Sequence, residues 1–310
     1  MSPYLQDQVT FTGQLDVYGQ ASQTIERLLR IKVSTSQAYR ITDHYGKEIG
    51  GEVKAPAPGF ELKKGDKIYG QMDGGMVFTD DGWQEVKVGR IFRQSDIVKA
   101  SQNTGRQKIR GSQYVAQLGG HTTFLETFGK AVQPYKGRQD RLVFINDGAV
   151  WIDNWIKENF PDATSILDFF HASENLARVG KVLIKGEGKF DKWFSKNKKR
   201  LLESETGAVI NSVRGLTPKN GEQVDLKMKL IRYIEKNIDR MDYKLFRSKG
   251  LQIGSGAIEA AHRTVVQARM KKSGQRWTDK GAQNMLNLRV AFKSDRWEIV
   301  KNKICSNLAA

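Results

Sequence analysis

Residues 141–147, RLVFIND, set four apolar side chains in a row, Leu142 to Ile145, and end on a carboxylate. A strand with one wet face alternates apolar and polar residues, so an unbroken apolar run fits a strand covered on both faces. The neighbouring sequence continues the pattern. Upstream lie strand candidates at 67–79, 84–93 and 113–118, then a helix at 122–132 with Phe124, Phe128 and Val132 on one stripe. Downstream, Trp151, Ile152, Trp155 and Ile156 mark the inner side of a helix, ATSILDFF (163–170) reads as another strand, and HASENLARVGKVL starts another helix. Three strands without helices, then strand–helix–strand–helix, predict an α/β fold with a mixed sheet.

Other segments flank this core. Residues 1–47 read as helical, with Ala21, Ile25, Leu28 and Leu29 on one face. A turn at 31–33 leads to a capping box, Ser34 with Gln37 three residues on, and a second helix that buries Ala38, Ile41, Thr42 and Tyr45. Two short helices so joined suit a helix-turn-helix, in which Thr35, Ser36, Gln37 and Arg40 face base edges or phosphates; any small helical hairpin has the same signature. Prolines and glycines at 48–66 predict a linker and a domain boundary. The α/β core would begin at 67, with its first part running to 180. A helical insertion at 181–250 includes a stripe of Leu230, Ile234, Ile238 and Met241, and helices at 251–310 complete the core.

Composition limits the partners. Fifty-one Lys and Arg against 34 Asp and Glu give a formal charge of +17, and the basic residues cluster, which favours a polyanion. No stretch approaches the ~18 apolar residues of a membrane span, and the single cysteine, Cys305, fits a reducing compartment.

Three carboxylates stand out within that frame. Asp73 closes the first strand in this reading and Asp147 the fourth, each before glycine, and Glu259 opens a helix after the insertion. The strand order is that of a ribonuclease H-like fold, where those two strands are neighbours and their carboxylates meet. An oxygen-rich set of this kind suits Mg²⁺ or Mn²⁺, and two such ions activate a water or 3′-hydroxyl for in-line attack on a phosphodiester. His262 and Arg263 follow three and four residues after Glu259, and Arg269, Lys271, Lys272 and Arg276 continue towards Trp277. This run reads either as a solvated basic helix with Trp277 in the core, or as a phosphate track with Trp277 stacking on an unpaired base.

ILDFFHASENL (166–176) resembles the Asp-x-x-His signature of Mutator-like transposases, and GSGAIEAAHRTVVQARMKKSGQRWTDKGAQNMLNLR (254–289) is similar to the C-terminal signature of bacterial insertion-sequence transposases of the ISKra type. The resemblance extends to the opening SPYLQDQVTFTGQ. It implies a DDE transposase that cuts transposon ends and joins them to target DNA. Asp73, Asp147 and Glu259 would be its catalytic and metal-binding triad, with Asp168 and His171 as an accessory pair. It further implies double-stranded DNA as partner, a homodimer or larger assembly on DNA, no membrane, and a place at the bacterial nucleoid in the cytoplasm. Relatives often carry more sequence before such an SPYLQ run, so the chain is expected to be short at its N-terminus. A ribonuclease H-like nuclease or resolvase, and a decayed transposase that only binds DNA, are the rival expectations.

Overall fold

The computed structural model describes residues 1–55, 57, 59–100, 107–186 and 188–306. The protein is mixed α/β, with antiparallel and parallel strand pairs. By internal contacts it divides into one unit of Met1–Leu142 with Ala257–Ala310 and another of Val143–Gly256. These limits do not coincide with the compositional breaks at 47, 66, 180 and 250.

In the first unit, β1 (Ile68–Thr79) and β2 (Gly82–Arg93) form a long antiparallel hairpin. A small hairpin of β3 (Ile97–Lys99) and β4 (Gln107–Ile109), unread in the sequence, precedes β5 (Gln113–Leu118). Strand β5 pairs with the other side of β2. The expected stripe of Phe124, Phe128 and Val132 is buried on the helix His121–Val132. One cluster joins Val77, Val86 and Val88 of the hairpin to Ile258, Val265, Trp277 and Leu286 from the C-terminal segment. Asp73 is the first correction: it sits in the middle of β1, opposite Val88, rather than at its end.

Three helices begin this unit: Pro3–Leu15, which the periodicity reading did not single out, Tyr18–Leu29 and Thr35–Glu48. The capping box forms as expected. Ser34 Oγ accepts from the Gln37 N–H at 3.2 Å, and Gln37 Oε1 accepts from the Ser34 N–H at 3.0 Å. Ala21, Ile25, Ala38, Thr42 and Tyr45 are buried, but Leu28 is 72% exposed. The third helix continues into the unit rather than standing apart from it. Asn284 and Asn287, on the helix Asp279–Lys293, donate to Asp43 Oδ1 at 2.9 Å and to the Gly46 carbonyl at 3.0 Å. The expected linker holds a short helix, Gly50–Lys54; its prolines, Pro56 and Pro58, lie outside the described residues.

In the second unit, β6 (Leu142–Asn146, its first residue counted with the first unit) is buried at every position and pairs in parallel with β7 (Thr164–Leu167). The helix Val150–Asn159 connects them, with Ile152 and Ile156 inward. Strand β7 is shorter than the expected 163–170: Asp168 is already the N-cap of the helix Phe169–Leu183. The insertion is helical as read, with helices Lys189–Leu202, Thr206–Arg214, Gly221–Lys236 and Tyr243–Ser248. Leu230, Ile234 and Met241 are buried, but Ile238 is exposed because the helix ends at Lys236 and the stripe loses its register.

Candidate functional site

On β1, residues two apart share a face, so Gln71, Asp73, Gly75 and Val77 point the same way. That face packs on the helix Gly256–Ala261 and on the π-helical turn His262–Gln267 that continues it. Two buried polar side chains fix the start of this helix. Gln71 Oε1 accepts from the Ile258 N–H at 3.0 Å, and Arg90 Nη1 donates to the Ala257 carbonyl at 2.9 Å. They hold Glu259, exposed in the first turn, in place. Neither was read as functional in the sequence; a glutamine inside the apolar run IYGQM was the available signal.

Gly75 lies under the His262 ring. A Cβ there would meet the ring's Nδ1 and Cε1 at 2.9 Å, so the ring reaches this depth only over glycine. His262 Nε2 is then 3.6 Å from Oδ2 of the half-buried Asp73, whose Oδ1 accepts from the Gly74 N–H at 2.7 Å. Asp73, Met76, Glu259, His262, Arg263 and Lys271 contribute to the wall of one cleft of about 400 Å³. Two of the three expected metal-binding carboxylates therefore share a cleft with two exposed cations, Arg263 and Lys271.

Burial holds the His262 imidazole below its ordinary 6.5, although the Asp73 carboxylate pulls the other way. The unfolded chain consequently takes up this proton first as pH falls. The site's contribution to stability is complete above about pH 6.5 and is lost progressively below it, until the folded state also protonates. His262→Gln should flatten that slope. Urea midpoints at pH 7.5 and 5.5 should differ more for the parent than for the variant, and equal differences would remove His262 as the cause.

In the second unit Asp147 directly follows β6. Its Oδ1 accepts from the Ala149 N–H at 3.0 Å, closing a turn that requires φ of 94° at Gly148. The Tyr233 hydroxyl donates to the Asp147 carbonyl at 3.1 Å; burial pushes that phenol up to about 12, so it keeps its proton. Asp168 is fully buried. Its Oδ1 accepts from the Phe170 N–H at 2.6 Å, and its Oδ2 from the Ser255 N–H at 3.1 Å and from the Ser255 hydroxyl. His171 Nε2 stays 3.9 Å from Asp168 Oδ2 and its Nδ1 3.8 Å from Glu174 Oε2, both beyond hydrogen-bond length. Asp168 thus braces the residues before Gly256, and His171 stands half exposed beside it.

Thr35, Ser36, Gln37 and Arg40 are all exposed on the first turns of their helix. Arg263 and Lys271 are exposed at the cleft, Lys272 pairs with Asp16, and Arg276 lies 3.2 Å from Asp80 Oδ1. Two members of the proposed phosphate track are corrected. Arg269 is fully buried, its Nε donating to the Gly13 carbonyl at 2.9 Å. Trp277 is 7% exposed in the core, with its indole N–H donating to the Met270 carbonyl at 3.1 Å. Arg269 turns inward on the helical turn Ala268–Met270, and Trp277 sits on an isolated β-bridge to Thr79, neither of which a count of basic residues registers.

The family described as "Uncharacterised protein family (UPF0236)" matches residues 87–302. That span contains Asp147, Asp168, His171 and Glu259 but begins after Asp73. A curated relative, "UPF0236 protein in vanSb 3'region" from Streptococcus gallolyticus, is 21% identical over 308 residues, 96% of this chain. The chain spans 65% of that relative's length.

Proposed function

The chain belongs to the UPF0236 family, and from that premise we propose that it is a DDE-type transposase of the ISKra kind, built on a ribonuclease H-like core. The observation that carries the reading is the cleft in which Asp73 and Glu259 stand beside Arg263 and Lys271, in a chain of formal charge +17. The donors are carboxylate oxygens, which fit a hard cation such as Mg²⁺ or Mn²⁺. Asp73 and Glu259 would hold it, and bound there it would lower the pKa of an attacking water or 3′-hydroxyl. The Gly74 N–H orients the Asp73 carboxylate, with the His262 ring packed beside it over Gly75, and Gln71 and Arg90 keep the Glu259 helix seated. Arg263 and Lys271 attract the scissile strand's phosphates. The helices Tyr18–Leu29 and Thr35–Glu48 act as a helix-turn-helix, with Thr35, Ser36, Gln37 and Arg40 towards DNA, and two or more copies act together at paired ends.

The test incubates the protein with transposon-end duplex, a target plasmid and Mg²⁺, and separates cut from joined products. Cleavage followed by joining is expected. Cutting without joining would make the protein a nuclease or resolvase, and binding without either would make it a DNA-binding relic.

A further inference from the structure

The buried Trp277 leaves open which aromatic side chain meets DNA. On the face of the β1–β2 hairpin opposite Asp73, cross-strand partners Gly74 and Lys87, Met76 and Glu85, and Phe78 and Trp83 lie side by side. Towards the tip that face is apolar and uncovered: Met76 is 40%, Phe78 36% and Trp83 63% exposed. Phe78 and Trp83 meet edge to face with ring centroids 5.3 Å apart. The Arg276 guanidinium lies 5.5 Å from the centroid of Phe78, and the Asp80 N–H, donating to the Trp277 carbonyl at 2.8 Å, ties that neighbouring segment to the hairpin tip. The carboxylate on this face, Glu85, is paired by Lys87.

We propose that Trp83 and Phe78 form a stacking platform for an unpaired nucleobase of the DNA strand held at the Asp73–Glu259 cleft. The inference rests on the transposase reading and adds the contact that receives a splayed base. Met76 belongs to the aromatic face and also contributes to the cleft wall, so the two surfaces, on opposite faces of β1, adjoin around the strand there. From Asp73 to Phe78 the strand advances roughly 17 Å, about five nucleotides of a stacked strand. Arg276, itself 3.2 Å from Asp80 Oδ1, borders the Phe78 ring, and Arg263 and Lys271 line the adjoining cleft, a setting that suits a base and its phosphates better than a purely apolar protein partner. An unpaired base suits the site better than a duplex, because stacking requires a free π-face.

The experiment uses the full chain without divalent cation, so that binding is read apart from cleavage. The probe is a duplex with a five-nucleotide single-stranded tail carrying 2-aminopurine. The parent should quench the probe's emission several-fold. Trp83→Ala should abolish the quenching and weaken tailed-DNA binding about tenfold while leaving fully paired DNA unaffected, and Trp83→Phe should restore most of both. Unchanged quenching and affinity in Trp83→Ala would overturn the platform and leave the transposase reading standing. No DNA binding by the parent would overturn both. Loss of a parent dimer in Trp83→Ala with an unchanged DNA signal would assign the patch to a second copy of the chain, also against the proposal.

Discussion

Glu259→Gln should lower Mg²⁺-dependent cleavage of end DNA at least about 1,000-fold, equivalent to about 4 kcal/mol of barrier, while metal-free DNA affinity changes less than about twofold. The substitution keeps the side chain's shape and removes only its charge. The helix that carries it is held from elsewhere, by Gln71 on the Ile258 N–H and Arg90 on the Ala257 carbonyl, so its geometry should persist. Glu259 is exposed, so its loss should leave the melting temperature nearly unchanged. Asp73→Asn and Asp147→Asn should behave alike. Under the proposed function affinity should survive, because phosphate contacts are made by Lys and Arg rather than by these carboxylates. Substantial Mg²⁺-dependent cutting by Glu259→Gln would remove this residue from the metal site.

Arg269→Ala should be the most damaging change to stability, costing about 3–5 kcal/mol. The guanidinium carbon lies 4.8 Å from the Tyr18 ring and 5.0 Å from the Trp277 ring, so the side chain is held between two aromatic groups. Its Nε reaches back to the Gly13 carbonyl on the first helix. Burial lowers its pKa, but a guanidinium remains charged at neutral pH, and the rings and hydrogen bond offset part of its desolvation. Truncation leaves a cavity between the N-terminal helices and the C-terminal core. Arg269→Met, which fills the volume without the charge, should cost less than about 2 kcal/mol. Urea unfolding measures both. If Arg269→Ala kept its stability and instead lost DNA affinity, the surface role expected from the basic run would be reinstated.

The contrast between Arg269 and its neighbours shows what the sequence could carry. Features set by near neighbours were legible: the Ser34–Gln37 capping box, the strand 113–118, the stripe Phe124, Phe128 and Val132, and the Asp-Gly turn after β6. Features set by distant partners were not. Asp73 read as closing its strand before Gly74 and Gly75, yet β1 runs on through both, paired with Lys87 and Val86, and Gly75 leaves room for the His262 ring, almost 190 residues away in sequence. Asp168 read as half of a pair with His171, which does stand 3.9 Å from it, but its hydrogen bonds to Phe170 and Ser255 were not legible. Arg269 read as surface because the run around it is basic, and Trp277 was left between a core and a stacking reading. Their burial depends on Tyr18 and Gly13, at the other end of the chain. Periodicity also failed where a helix stopped, as at Ile238.

The first unit is discontinuous: Ala257 and the residues after it return to strands made long before them. A ribosome releases Glu259 roughly 190 residues after Asp73, a delay of roughly ten to forty seconds at ordinary elongation rates. During that interval Asp73 exists without the helix that faces it, while Val143–Gly256 can already fold. Under the proposed function, a nascent or prematurely terminated chain could hold DNA through its basic surface but could not cut it. Order of synthesis would then act as a safeguard, with a segment made well after Asp73 arming the cleft.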